Sequence, residues 1–145
     1  MQAQMLAPAA VLVAWTLVVQ FWMVFTGFPA LKAANIDVKI VPPGGRGQDL
    51  EGRLPAKVMW KSHNYTHLME QPTIFCAAVA ILAIAGADRL DVLLAWAYVA
   101  IRVVHSLWQS TVNRIPVRVT LFATSSLFLI ALSIKALLAT VFAGA

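Results

Sequence analysis

Residues 6–28 form an unbroken apolar run without one charged side chain, and this limits the chain more than any other feature. A hydrocarbon core of roughly 30 Å needs about 20 predominantly apolar residues in a helix, and the run is long enough. Three further segments follow, at about 58–87, 91–113 and 116–142; the first of these is polar in its first half. Backbone inside lipid must satisfy its own hydrogen bonds, so all four segments are expected to be helices. The predicted fold class is an all-α integral membrane protein, a bundle of four transmembrane helices. Residues 6–28 do not read as a signal peptide. No Lys or Arg precedes them, the apolar stretch is too long, and no clean small-residue cleavage site follows.

Composition supports this reading. The 145 residues are 61% hydrophobic and 12% charged, with a mean hydropathy of +0.79, whereas a soluble domain is about half apolar and a quarter charged. The length predicts a single domain, 1–145. Cys76 is the only cysteine, which excludes a disulfide scaffold, and it reads as a small core residue. A net charge of +5 would suggest nucleic acid in a soluble protein, so the positions of the cations matter.

The connections differ in kind. Gly86-Ala87-Asp88-Arg89 and Asn113-Arg114-Ile115-Pro116 are short turns, which makes helices two, three and four antiparallel neighbours. Residues 29–57 form a long loop containing Pro42-Pro43-Gly44-Gly45-Arg46-Gly47, able either to cap one end of the bundle or to remain disordered. That loop and the start of helix two hold Lys32, Lys39, Arg46, Arg53, Lys57 and Lys61, and the turn before helix four adds Arg114 and Arg118. At the opposite end only Arg89 lies in a loop, with Lys135 able to snorkel from helix four. The positive-inside rule then places the 29–57 loop in the cytoplasm and both termini outside it. No nucleic-acid partner is expected.

Ionisable groups within a span cost about 2.5–3.5 kcal/mol each on insertion scales, so those present invite a functional reading. His63, His67 and Glu70 fall within about 60° of one another on helix two, at roughly 100° per residue. Arg102, His105, Gln109 and Asn113 span about 80° on helix three by the same arithmetic. Two polar stripes at similar depth on adjacent helices make a plausible site. The bland alternative is packing, with Glu70 and Arg102 as a buried ion pair and the histidines as interhelical donors. Trp15, Trp22 and Trp60 read as interface or packing residues, and the Asn64-Tyr65-Thr66 sequon is discounted because it falls on the cytoplasmic side. The spacing of His63, His67 and Glu70 permits a metal, but no second cluster completes the set and none is predicted.

Two stretches resemble the membrane-associated proteins in eicosanoid and glutathione metabolism, the MAPEG family. One is His67-Leu68-Met69-Glu70-Gln71-Pro72-Thr73-Ile74-Phe75, similar to the family's Asn-x-x-Glu followed by an apolar run. The other joins Arg102-Val103-Val104-His105 to Asn113-Arg114-Ile115-Pro116-Val117-Arg118, which looks like the corresponding segment of its prostaglandin-synthase branch. The resemblance implies a homotrimer, with glutathione held between protomers near the cytoplasmic side and a hydrophobic substrate arriving from the bilayer. Arg118 would be catalytic, stabilising the thiolate. Glu70 and His105 would orient the cosubstrate, Arg114 would hold a carboxylate, and His63, His67, Arg102, Gln109 and Lys32 would complete the binding set. A free thiol has a pKa near 8.5, and a nearby guanidinium lowers it, which gives a nucleophile at neutral pH.

The sequence departs from the family at His67 (usually Asn), His63 (usually Arg) and Gln109 (often Tyr). At the end of helix one, around Ala30, Lys32 is the only nearby cation. Three functions follow. The first is a transferase or peroxidase that uses glutathione or a related thiol on a lipophilic substrate. A non-catalytic lipid-binding protein of the same family is the second, favoured by the departures. Third is a small proton-coupled exporter, disfavoured because such proteins typically carry their Glu in helix one.

Overall fold

Helix one runs well beyond its apolar centre. The computed structural model describes residues 1–142, in which α1 is Gln2–Ala33, α2 Ala56–Ala85, α3 Arg89–Thr111 and α4 Ile115–Thr140. A 3-10 turn, Gly47–Leu50, interrupts the long loop, and the described residues contain no strand. All four α-helices are long and apolar enough to cross a membrane. Residues 143–145 of the expected 1–145 domain lie outside the described residues.

The helix bounds differ from expectation for identifiable reasons. Pro29 does not end α1 near residue 28, because one missing N–H removes one bond and the helix closes further on. Closure comes where Ala34 N donates to Ala30 O, Ile36 N to Leu31 O, and Asn35 takes a left-handed φ of 54°. Lys32 therefore sits in the last turn of α1, not in the loop, where a cation favours the C-terminal end of the helix dipole. α2 stops at Ala85 instead of 87 because Gly86 turns left-handed (φ 106°), its N–H on Leu82 O.

α3 starts at Arg89 rather than 91 through a reciprocal cap. Asp91 N donates to Asp88 Oδ1 and Asp88 N to Asp91 Oδ2, both at 2.9 Å. At its other end Asn113, with φ 53°, turns the chain, so the helix finishes at Thr111 and not at 113. Pro116 lies in the first turn of α4, which ends at Thr140 rather than 142.

α2 and α3 each pack on both α1 and α4, and the core lies along their shared seam. Phe75 and Tyr98 stack there with ring centroids 4.2 Å apart, both fully buried. Around them close Met5, Leu12 and Val19 of α1 and Leu132 of α4. Polar bonds fix the register of this apolar packing. Tyr98 Oη donates to Gln71 Oε1 (3.3 Å), and Gln71 Nε2 donates to Ser126 Oγ (2.8 Å), which ties α3, α2 and α4 in sequence. The outward faces carry Phe21, Phe25, Ile84, Leu93 and Leu127, all exposed, as a bilayer-facing surface requires. Cys76 is only half-buried, packed against the edge of the core and not within it.

Candidate functional site

At the end of the bundle that bears the long loop, α2, α3 and α4 open into a polar cavity of about 390 Å³. Its walls are Met59, Ser62, His63, Thr66, His67 and Glu70 of α2, Gln109 of α3, Arg118 of α4, and Gln48 from the 3-10 turn. The volume falls in the range of roughly 300–1,000 Å³ usual for small-molecule sites. Helical periodicity explains the α2 wall, since residues 59, 62, 63, 66, 67 and 70 follow the i, i+3, i+4 rule along one face.

Five of the nine residues singled out in the sequence meet at this cavity: His63, His67, Glu70, Gln109 and Arg118. Arg118 is half-buried and donates from Nη1 to Asn113 Oδ1 (2.8 Å), so the turn residue aims the guanidinium. Gln109 is only 6% exposed, and its Oε1 has no partner among the described residues. Glu70 does not turn into the bundle to pair with Arg102. Its carboxylate is 63% exposed and lies 3.1 Å from His67 Nδ1. Glu70 sits at the outer edge of the α2 face, and it makes no ion pair with Arg102, which donates to His67 O instead.

His105 and Arg102 lie behind this wall. The His67 ring has centroids of His105 and Phe122 each 5.2 Å away. Arg102 is fully buried, donates from Nη2 to His67 O (3.4 Å), and sits 5.7 Å over the Phe122 ring. Arg102 Nε and Nη1 and both ring nitrogens of His105 have no hydrogen-bond partner among the described residues. Buried polar atoms are nearly always satisfied, so these orphans, beside the cavity but not on its wall, depart from ordinary core packing.

Two of the chosen residues are not brought to the cavity. Arg114 is exposed, with its carbonyl accepting from Trp108 Nε1 (3.2 Å). Lys32 lines a separate surface hollow with Phe28, Leu31 and Asp37. Asn113, in the helix-three stripe, serves as the acceptor that positions Arg118.

The sequence reading missed the loop's contribution. Gln48 enters the wall, and Glu51 Oε2 lies 2.8 Å from His63 Nε2, tying the end of the loop to α2. Glu51, the last of three acidic residues in the loop and the one nearest the start of α2, was the available signal. Also missed was a buried knot beside the site: Asn64 Nδ2 donates to Ser106 Oγ (2.7 Å) and Ser110 Oγ (2.8 Å), while Trp15 Nε1 donates to Ser106 Oγ (2.9 Å). The 106/110 spacing of two serines on one α3 face was its trace in the sequence. Among the described residues no group of His, Cys, Asp and Glu is arranged to hold a metal.

A model of the MAPEG family matches residues 5–138, nearly the whole chain and every helix of the cavity. Searches of curated proteins and of solved structures return no match.

Proposed function

The chain belongs to the MAPEG family, and on that premise we propose that it is a membrane-embedded transferase or peroxidase that uses glutathione, or a related thiol, on a lipophilic substrate. Four apolar helices and the family make it an integral, multi-pass membrane protein. The observation that carries the proposal is that Arg118 and the unpartnered Gln109 Oε1 line one polar cavity inside an apolar bundle. Glutathione offers two carboxylates, an ammonium, two amides and a thiol. The cavity offers a guanidinium, a carboxylate, two imidazoles, two hydroxyls and two amide side chains. The donor set fits.

Arg118 would hold the sulfur as thiolate, since a fixed cation in a partly dry site favours the charged form. Gln109 would accept from a backbone N–H or the ammonium, and Thr66 and Ser62 would satisfy peptide groups. The lipophilic partner would come from the bilayer side. Arg118→Ala should lower kcat for conjugation of a generic aromatic electrophile by about 10²–10³-fold, the scale for removing one electrostatic contact to a developing charge. Unchanged turnover would remove Arg118 from the chemistry, and no thiol binding by calorimetry would remove the class.

A second reading, lipid binding without catalysis, is favoured by one feature. Leu12, Leu17, Leu68, Met69, Pro72 and Cys76 line an apolar groove of about 430 Å³ between α1 and α2. Co-purified lipid with no thiol-dependent turnover would select it.

A further inference from the structure

His67 is the departure that changes the chemistry most. An imidazole here, oriented by a carboxylate three residues on, can take up and return a proton, which an amide cannot. We propose that His67 is the general base of this site and Glu70 its positioning residue, the two removing the thiol proton while Arg118 receives the sulfur. The inference rests on the thiol reading above and deepens it.

Three observations carry it. First, Glu70 Oε2 lies 3.1 Å from His67 Nδ1. An ionised carboxylate only accepts, so this contact places the proton on Nδ1 and leaves Nε2 with its lone pair. Second, the ring packs against His105 and Phe122, their centroids each 5.2 Å from it and 6.3 Å from one another, so one side of the imidazole is held against neighbouring rings. Third, His67 lines the same cavity as Arg118, and its Nε2 makes no hydrogen bond to the described residues. Nucleophile activation needs this arrangement: a base within reach of the nucleophile, and a third group that orients the base.

The step balances. The S–H bond breaks, its electron pair stays on sulfur beside Arg118, and the proton passes to His67 Nε2. Sulfur then forms its bond to an electrophilic carbon. In a substitution the leaving group departs with the electron pair of the broken bond, and in an addition the resulting carbanion takes the proton back from Nε2. The transfer is internal, so the net charge of the cavity does not change, and Glu70 stabilises the imidazolium while it exists. The other groups facing His67 are Arg102 and His105 of α3 and Arg118 of α4. The guanidiniums of Arg102 and Arg118 favour the thiolate, and Glu70 is the carboxylate that offsets them at the imidazole.

The test uses the whole chain in lipid nanodiscs, with His67→Asn and the isosteric Glu70→Gln. Glutathione binding is followed by calorimetry in two buffers of different ionisation enthalpy, which counts protons released, and by the ultraviolet absorbance of the thiolate. The wild-type protein should show thiolate absorbance near neutral pH with much less than one proton released per thiolate. His67→Asn should still bind, with thiolate appearing only as a proton is released to buffer. Its turnover at neutral pH should fall about 10²-fold, within the usual range for a lost general base, and the deficit should shrink as pH rises. Glu70→Gln should show the same pattern more weakly. Proton counts and absorbance in His67→Asn equal to the wild type would overturn the proposal with the thiol reading intact. Failure of the wild-type protein to bind glutathione would overturn both, and the two failures are therefore distinguishable.

Discussion

Ser106 accepts hydrogen bonds from Trp15 of α1 and Asn64 of α2, so one α3 hydroxyl joins three helices at the back of the cavity. Interhelical hydrogen bonds in membranes average about 0.6 kcal/mol and reach about 1.7, because the separated helices also find partners. Ser106→Ala removes two acceptor contacts at once and strands a buried amide and an indole N–H. It is expected to cost about 1–2 kcal/mol in a reversible detergent titration, with Asn64→Ala costing less because both serine hydroxyls can rotate. Equal stability in both variants would show that the knot is incidental. Side-chain chemistry of this kind was only half legible. Counting at 100° per residue found the α2 wall and Gln109, since helix faces follow from spacing alone. The same counting put Glu70 opposite Arg102. It fails there because a stripe gives an angle about an axis, and whether a side chain at the stripe's edge turns inward depends on what the neighbouring helix already buries.

Helix ends are settled by local hydrogen bonds, and these explain where the expected bounds shift. The loop was expected to begin at residue 29, yet the termination signal was Asn35, whose left-handed backbone closes the last turn of α1. The Asp88/Asp91 cap was readable as a D-x-x-D pattern but was assigned to a turn, which set α3 two residues late. That cap also reaches across to α4. Lys135 Nζ donates to Asp88 Oδ2 (2.9 Å) and lies 3.0 Å from Oδ1 of the buried Asp91, an ion pair whose alignment falls short of a good hydrogen bond. The hydrogen bond from Lys135 holds the Asp88 carboxyl below the usual aspartate range. A carboxyl with a depressed folded pKa contributes stability above its unfolded pKa, and that contribution is lost as pH falls through the folded value. Lys135→Met should therefore lower the thermal midpoint at neutral pH by a few degrees. The gap to the wild-type protein should close once pH drops below the usual aspartate range. A gap that persists unchanged in acid would show that Lys135 acts through packing.

At the scale of the whole molecule, four spans and the end that carries the cations were legible because both follow from counting apolar and charged residues. What surrounds a single protomer was not, because one chain does not contain its neighbour. The structure sharpens this question through Glu70. Its carboxylate is 63% exposed on a helix that crosses the bilayer, beside exposed Met69 and Ile74. A charge facing hydrocarbon is costly, and such groups face a bundle interior or a water-filled cavity. Eight cations crowd the end of the bundle from which the polar stripe of α2 runs to Glu70. A second protomer packed along α2 would cover Met69 and Ile74, leave Glu70 facing the shared cavity, and close the open side of the site. We expect native mass spectrometry from nanodiscs to give a trimer, and Ile74→Trp on the exposed α2 face to weaken it. Thiol affinity should fall with the trimer by at least tenfold, because a site that lacks one wall loses the contacts that wall supplied. A monomer that binds thiol as tightly as the assembled protein would show that the cavity of one chain is sufficient.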